Sequence, residues 1–384
     1  MRVVLMISVF LLAIAVAATS RSAPTTVPAA PPQWRPIVSP DTQVFPALLI
    51  ATANLAVGAG AVGAGGAILG DHHGMVGVAV AATRDDQRAR VVVRAPALGR
   101  ESSIEVRLPR AGDWYQIYPT MLWDWQRLHG VRRAMPETIE FALELDGHEA
   151  THLAKNVRVR SVNEAPYFVN DGNQQTDLSW MFAAYVDEEH PLVQKILGDA
   201  LRVSKLRRFD GYQSKDPEQV YRQVFAVWQV LAQRGIRYSS ITRTSSSNKT
   251  VLSQYVRFLD ESWDNRQANC VDGSVLLASV LRRIDLDPQL VLVPGHMLLA
   301  FALDARGGNY AYLETTFLGK ADASRSTGKA DGSAALANFE AAVEEGIARY
   351  AASADRFGHD AYPEYRIVDI AAARKLGVAP ISSR

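Results

Sequence analysis

The chain contains a single cysteine, and the residues around it are of the kind that can activate a thiol. Cys270 follows Asn269, a good helix N-cap, and the apolar residues after it recur at helical spacing. We therefore expect Cys270 in the first turn of a buried helix, where the positive end of the helix dipole favours a thiolate. The backbone N–H groups of such a turn can also stabilise the oxyanion of an acyl-transfer reaction. The competing interpretation is that Cys270 is a small buried apolar residue.

His296 and Glu314 are the residues that could complete a nucleophilic site. His296 follows a Pro-Gly turn and begins a predicted strand, so its imidazole can face a neighbouring element. Glu314 lies in the next predicted strand, where its carboxylate could hold the second imidazole nitrogen. A nucleophile, a base and an orienting acid therefore follow one another along the chain, in the roles of a catalytic triad.

Other reactive side chains carry less weight. Asp71, His72 and His73 include metal-ligand types, but no further ligand cluster lies near them in sequence, so a surface turn is the better interpretation. Asp272 is interpreted as structural, because an acid in the first turn of a helix can bond local backbone N–H groups or an arginine. We expect neither a metal nor an organic cofactor.

The elements predicted around these residues form an α+β domain, in which helices and antiparallel strands are segregated. A capped helix is predicted from Asp216-Pro217 to Gly235, followed by a short strand at 236–238. The remaining elements are strands at Leu290–Val293, Met297–Leu303 and Tyr310–Thr316, and a long helix at Ala334–Ala351.

The region before this domain is rich in strand patterns. Apolar and polar residues alternate, and turn signals such as Asp146-Gly147 separate the runs. The predicted strands are Arg88–Arg94, Ser103–Leu108, Thr138–Leu145 and Asn156–Ser161. Short strands with polar outward faces predict an antiparallel β-sandwich.

Three short motifs make the second half of the chain similar to a known family. The run Cys-x-Asp-Gly opens an apolar helix, Pro-Gly-His opens an apolar strand, and Glu-Thr-Thr follows. Together they resemble the transglutaminase-like fold of papain-type cysteine enzymes, over residues 215–320 or so. The resemblance implies Cys270 as nucleophile, His296 as general base and acid, and Glu314 as orienting acid. Members of this fold usually carry Asp at the last position, so Glu314 departs from the pattern.

The resemblance also points to a side chain for the oxyanion. Gln254 lies upstream of the nucleophile, in the region where papain-type enzymes place an oxyanion-hole side chain. Gln267 is nearer in sequence, but we expect it to point along the approach to the helix. The alternative for Gln254 is a solvated surface glutamine.

The N-terminus has the features of an export signal. Arg2 precedes an almost unbroken apolar run, Val3 to Val16, and small residues follow. We expect an exported protein of bacterial type, periplasmic or extracellular, although an uncleaved anchor is the alternative. The predicted organisation is a signal peptide at 1–23, a Pro/Ala-rich linker at 24–42, a β-sandwich domain at 43–165, a transglutaminase-like domain at 166–330 and a C-terminal helical extension at 331–384.

The uncharged stretch at 43–70 is dominated by Gly, Ala and Val. Its length would suffice for a second membrane segment. Glycine is a weak helix former, however, so we predict a strand around Phe45–Leu55 followed by a small-residue loop. We expect no stable membrane span after removal of the signal.

The leading hypothesis is an exported cysteine acyl-transfer enzyme that acts on amide bonds through a Cys-His-Glu site and a thioester. Water as acceptor would make it a peptidase or amidase, an amine a transglutaminase, and the sequence leaves this open. One alternative is a catalytically inactive transglutaminase-like binding module in the cell envelope. Another is a thiol used for an intermolecular disulfide.

The expected partner is a protein or peptide substrate. The formal net charge is +1, and no basic run is interleaved with aromatic residues. These features give no reason to expect a nucleic-acid partner.

Overall fold

The computed structural model describes residues 33–55, 68–148, 150–170, 175–240, 250–320 and 332–382. The predicted signal peptide and most of the predicted linker lie outside these ranges. The described residues form two compact units, which divide between Ser161 and Val162, close to the predicted boundary at 165. The second unit also includes most of the short helix Pro46–Thr52 (α1).

The first unit is built from strands in two sheets. Its elements are Trp34–Val38 (β1), Gln43–Val44 (β2), Ile68–Gly70 (β3), Val76–Ala81 (β4), Gln87–Arg94 (β5), Ser102–Leu108 (β6), Trp114–Tyr118 (β7), the helix Trp125–Gly130 (α2), Met135–Leu145 (β8) and Thr151–Val159 (β9). The strand orders are β1-β4-β7-β3 and β2-β9-β8-β5-β6. Neighbouring strands are antiparallel except in the pairs β2–β9 and β3–β7.

Alternation of side chains determines which face of these strands is buried. In β5, Ala89, Val91 and Val93 are buried, whereas Arg88 and Arg90, which alternate with them, are exposed. The two sheets contact each other through β1 with β9 and through β4 with β5. The strands predicted from this alternation are confirmed by β5, β6, β8 and β9.

The second unit mixes helices with short sheets. After α1, its elements are Glu164–Asn170 (β10), Gln175–Asp177 (β11), a 3-10 helix at Ser179–Tyr185, Pro191–Val203 (α3), Pro217–Arg234 (α4), Arg237–Tyr238 (β12), Val251–Tyr255 (β13), Leu259–Asn265 (α5), Gln267–Ala268 (β14), Cys270–Arg283 (α6), Pro288–Val293 (β15), His296–Ala302 (β16), Tyr310–Leu313 (β17), a 3-10 helix at Thr315–Phe317, Gly332–Ala351 (α7), Arg366–Asp369 (β18) and Ile370–Lys375 (α8).

The centre of this unit is α6 against an antiparallel sheet of order β17-β16-β15-β18. The helix is buried from Val271 to Leu281, which places its first residue at the edge of the core. The predicted helix that opens with Asp216 is confirmed as α4, which Gly235 ends in a left-handed conformation. The predicted strands before and after His296 are confirmed as β15 and β16.

Two features of the second unit differ from a reading of the sequence alone. The strand predicted around Phe45–Leu55 is wrong, because residues 46–52 form α1. Pro46 is suited to the first helical position, because the N–H that proline lacks would have no partner within the helix there. At the other end of α1, the carbonyl of Ala51 accepts a hydrogen bond from the N–H of Ala379 at 3.0 Å. The predicted C-terminal extension is part of this unit, since β18 pairs with β15 and α7 contacts β17.

Among the described residues, no helix combines the length and the apolar character needed to cross a membrane. The Gly/Ala-rich residues 56–67, which contributed to the alternative of a second membrane segment, lie outside the described ranges.

Candidate active site

Cys270 is the first residue of α6, as the capping pattern predicts. The side chain of Asn269 accepts from the N–H of Asp272 at 2.9 Å, and the N–H of Asn269 donates to Asp272 Oδ2 at 3.0 Å. This reciprocal capping box fixes the backbone on both sides of the thiol. Cys270 itself is half-buried and its thiol is free.

Asp272 extends this capping box into a buried ion pair. Its side chain is fully buried and lies 2.6 Å from Arg257 Nη1, and it also accepts from the Arg257 N–H at 2.8 Å. Burial raises the pKa of Asp272, while the bonds from Asn269 and Arg257 oppose that rise. The predicted structural role of Asp272 is confirmed by these contacts. The turn that carries Cys270 is thus fixed by a buried ion pair.

The carbonyl of Cys270 connects the helix to the segment after β17. It accepts from Ser274 Oγ at 2.7 Å and from Thr315 Oγ1 at 3.2 Å. Gly273 permits this approach, because a Cβ there would lie 3.1 Å from both Cβ and Oγ1 of Thr315. The residue before Thr315 is Glu314, so these bonds bring the predicted acid close to the nucleophile.

His296 reaches the same place from the start of β16. Gly295 before it has a φ of +71°, which glycine adopts readily, and this closes the turn between β15 and β16. The antiparallel pairing of Leu299 with Leu313 puts the start of β16 beside the residues that follow β17. The structure places Nε2 of His296 at 2.6 Å from Oε2 of Glu314.

Glu314 is completely buried, with a side-chain exposure of 0 %, and is surrounded by donors. Its Oε1 accepts from the N–H and Oγ1 of Thr316 at 3.0 and 2.7 Å. Its Oε2 faces His296 and also Nε of Arg349, at 3.2 Å. Burial raises the pKa of Glu314, but the bonds from His296 and Thr316 outweigh it and lower the pKa. Glu314 therefore carries a negative charge inside the protein.

Cys270 and Glu314 both affect the pKa of His296. Burial lowers the pKa of His296, but hydrogen bonds to Cys270 and Glu314 raise it to about 9. Because Nε2 faces Glu314, Nδ1 is the ring nitrogen left for the thiol. A histidine with this pKa is protonated at neutral pH. The structure thus places His296 in direct contact with Glu314, with Cys270 close by.

The position of Glu314 differs slightly from expectation. The strand predicted at Tyr310–Thr316 ends at Leu313, and Glu314 caps the 3-10 helix that follows. A cap with a non-helical backbone can turn its side chain back to the first amides of the helix. This explains why one carboxylate oxygen binds Thr316 while the other remains available to His296.

Tyr238 is a neighbour of the site that the sequence pattern did not single out. β12 pairs in parallel with β14, which sets Tyr238 opposite Ala268, and the N–H of Ser239 donates to the Ala268 carbonyl at 3.0 Å. Burial, and then the charges of Cys270 and Glu314, raise the pKa of Tyr238. Its exposure is nonetheless 46 %, so it presents an aromatic ring to solvent close to the thiol.

Arg349 was also missed, although its helix was predicted. The apolar spacing at 334–351 locates α7, but it does not reveal against which strand the helix packs. The only local signal is Glu345, one helical turn earlier, which lies 2.6 Å from Arg349 Nε. The contact with Glu314 depends on tertiary packing.

Gln254 stays a prediction as an oxyanion donor. It lies on β13, opposite Ala165 of β10, and its Nε2 donates to the carbonyl of Tyr255 at 2.9 Å. Gln267 lies on β14 and pairs with Arg237.

The other candidate metal ligands lie in the predicted turn. The carboxylate of Asp71 accepts from the N–H of His73 at 2.9 Å. Within the described ranges, no group of three or more His, Cys, Asp or Glu side chains is arranged to hold a metal ion.

No protein-family model matches this sequence, and no curated protein matches it either.

Proposed function

We propose that this protein is an exported cysteine enzyme of acyl transfer, with Cys270 as nucleophile, His296 as general base and acid, and Glu314 as orienting acid. The observation that carries the proposal is the position of His296. Its Nε2 is bonded at 2.6 Å to a buried carboxylate, and the only thiol of the chain is close enough to help raise the pKa of His296. A merely structural histidine needs no reactive group on its second nitrogen.

The proposed reaction begins with attack of the Cys270 thiolate on an amide carbonyl. Negative charge develops on the carbonyl oxygen, and the N–H groups in the first turn of α6 are suited to stabilise it. His296 then donates its proton to the leaving nitrogen as the C–N bond breaks, which leaves a thioester on Cys270. Water or an amine then attacks the thioester carbonyl while His296 takes the proton that this acceptor loses, and the C–S bond breaks to release the product and the Cys270 thiolate.

The proposal includes a transglutaminase-like fold for the second unit, preceded by a β-sandwich. Support comes from a buried helix that begins at Cys270 and contacts an antiparallel sheet carrying His296 at the start of a strand. The two contacting sheets of the first unit support the sandwich.

The longer side chain of Glu314 is compatible with the role usually filled by Asp. Starting from a cap position beyond the strand, it reaches Nε2 of His296 at 2.6 Å, and Thr316 holds its other oxygen. The extra methylene therefore costs no contact with the imidazole.

Export and a protein or peptide substrate belong to the same proposal. Structural cysteines of exported proteins usually occur in pairs, whereas this chain has one, which fits a chemical use of the thiol. The competing proposal of an inactive binding module predicts an ordinary thiol.

The test is alkylation of Cys270 by iodoacetamide, followed by mass spectrometry at pH 6.5. Free cysteine is mostly protonated at this pH, because its thiol titrates at about 8.5. We expect Cys270 to react about tenfold faster than free cysteine or more, and His296→Ala to remove that advantage. His359→Ala, in a loop outside the site, is the matched control and should leave the rate unchanged. A wild-type rate equal to that of free cysteine would establish the inactive module instead.

A further inference from the structure

Glu314 is shared between two basic side chains that approach the same oxygen. Oε2 lies 2.6 Å from Nε2 of His296 and 3.2 Å from Nε of Arg349. The exposure of the carboxylate is 0 %, whereas that of the Arg349 side chain is 46 %. A permanent positive charge at the surface therefore contacts the buried acid of the candidate site.

The position of Arg349 is determined by close packing of its helix. The N–H of Glu314 donates to the carbonyl of Ala342 on α7 at 2.9 Å. Gly346 lies directly on β17, since a Cβ there would be 2.4 Å from the carbonyl oxygen of Tyr312. One turn of α7 is thus held against the backbone that carries Glu314, and Arg349 follows it.

We infer that Arg349 is a positioning residue of the site: its guanidinium holds Oε2 of Glu314 against His296 and shares the charge of that oxygen with the imidazole. This inference rests on the proposed function. A carboxylate bonded only to His296 would act on the imidazole with its full charge. With the guanidinium on the same oxygen, the imidazole releases its proton more readily, as the base must do when it accepts a proton from water or an amine.

The charged groups around His296 and Glu314 determine whether Arg349 raises or lowers the pKa of His296. Among the described residues, the charged and titratable groups that face His296 or Glu314 are Cys270 from α6, Tyr238 from β12 and Arg349 from α7. Arg349 is the one permanent cation of these three. Removing it takes a positive charge away from the protonated imidazole, and this must raise the pKa of His296.

The experiment compares Arg349→Gln with Arg349→Lys by NMR titration of the His296 ring protons. Because Arg349 is half-exposed and partly screened, we expect the pKa of His296 to rise by about 0.5 to 1 unit in R349Q. R349K keeps the charge and should stay within about 0.3 unit of the wild type. The control is Arg222→Gln on α4, which breaks the same kind of pair one helical turn apart, Arg222 with Glu218, away from the site.

A second variant keeps the inference falsifiable if R349Q does not fold. Glu345 competes for Arg349 Nε at 2.6 Å, so Glu345→Gln leaves the guanidinium to Glu314 alone. The pKa of His296 should then fall, the opposite sign to R349Q. A pKa of His296 that R349Q leaves at its wild-type value overturns the inference, and so does an E345Q value at or above the wild type.

Failure of this inference is distinguishable from failure of the proposed function. The NMR titration reports on His296 whether or not Cys270 reacts, whereas the alkylation rate of the wild type tests the proposed function directly. A fast wild-type Cys270 with an unchanged His296 in R349Q rejects Arg349 alone. A slow wild-type Cys270 with a raised pKa in R349Q rejects the enzyme and leaves Arg349 as part of a structural network.

Discussion

The two sides of the candidate site hold buried charge in different ways. On the nucleophile side, Asp272 is paired with Arg257 and with the backbone of Asn269, and apart from Arg257 these residues lie within the turn that carries Cys270. On the acid side, the neighbouring Thr316 holds Oε1 of Glu314, while Oε2 is held by residues from distant elements, His296 at the start of β16 and Arg349 on α7. The first side depends mainly on local capping, and the second depends on how strands and helices pack.

This difference has a functional consequence. In the proposed site the turn that carries the thiol must be fixed, and the capping box of Asn269 and Asp272 does this together with the ion pair to Arg257. In the proposed mechanism the charge of Glu314 is balanced between His296 and Arg349, and a substitution of the half-exposed Arg349 should change that balance. Substitutions on the two sides should therefore have separable effects.

The largest effect is expected on the nucleophile side, from Asp272→Asn. The substitution leaves the nearly buried Arg257 without its carboxylate, and breaking such a pair typically costs about 3–5 kcal/mol of unfolding free energy. Chemical denaturation measures the loss. Asp264→Asn, an exposed acid shortly before the nucleophile, is the matched control. A loss no larger than that of the control would show that the pair does not fix the turn.

The next effect concerns the acid side, through Gly346→Ala. The added Cβ would lie 2.4 Å from the Tyr312 carbonyl oxygen, so α7 must move away from β17. We expect a loss of about 2–3 kcal/mol in the free energy of unfolding, as for overpacked sites.

The matched control for this substitution is Gly198→Ala, also in a helix, where the nearest atom to the new Cβ is 4.0 Å away. It should stabilise the protein by up to about 1 kcal/mol, because alanine is the better helix former. Equal stability changes in the two variants would contradict the close packing of α7.

A smaller effect is expected from Thr316→Val, which removes the hydroxyl that donates to Glu314 Oε1 at 2.7 Å. The loss of a bond to a charged group should cost about 1.5 kcal/mol. It should also slow alkylation of Cys270, because the carboxylate is held less firmly. Thr138→Val, which removes an exposed hydroxyl bond in the first unit, is the control for both measurements. An alkylation rate that T316V leaves unchanged would indicate that Thr316 does not position Glu314.

The last prediction concerns the pH dependence of stability. The pKa of His296 is raised from 6.5 to about 9 in the folded protein, so its contribution is complete below pH 6.5 and is lost as the pH rises through 9. The pKa of Glu314 is lowered, so its contribution is present above its unfolded value of 4.5 and is lost on acidification. Melting temperatures should therefore fall between pH 7 and 9.5 in the wild type and fall less in His296→Gln. Parallel curves for the two proteins would contradict the raised pKa.

The difference between local capping and tertiary packing also explains which features of the site could be predicted from the sequence. Asn269, Cys270 and Asp272 form a local motif, so the cap, the helix start and the structural role of the acid all followed from neighbouring residues. The pairing of β12 with β14, which brings Tyr238 to the site, joins segments about 30 residues apart and leaves no local pattern. The contact of Arg349 with Glu314 depends in the same way on the docking of α7.

The wrong strand at 45–55 has a related cause. Residues 47–51 of α1 are all apolar, and all of them are buried. The sequence therefore shows neither helical nor strand periodicity there. Pro46 at its start was the available signal. Burial on all faces results from packing in the folded unit. From the sequence alone, a short run of apolar residues does not distinguish a buried helix from a buried strand.

We propose that Cys270 and His296 form a thiolate–imidazolium pair, and the ultraviolet absorbance of a thiolate is the measurement that tests this pair. Because the chain has one cysteine, a thiolate signal can be assigned without ambiguity. We expect this absorbance to be present at pH 6.5 in the wild type and absent in His296→Ala. A wild-type protein without thiolate absorbance at pH 6.5, identical to the variant, would contradict it.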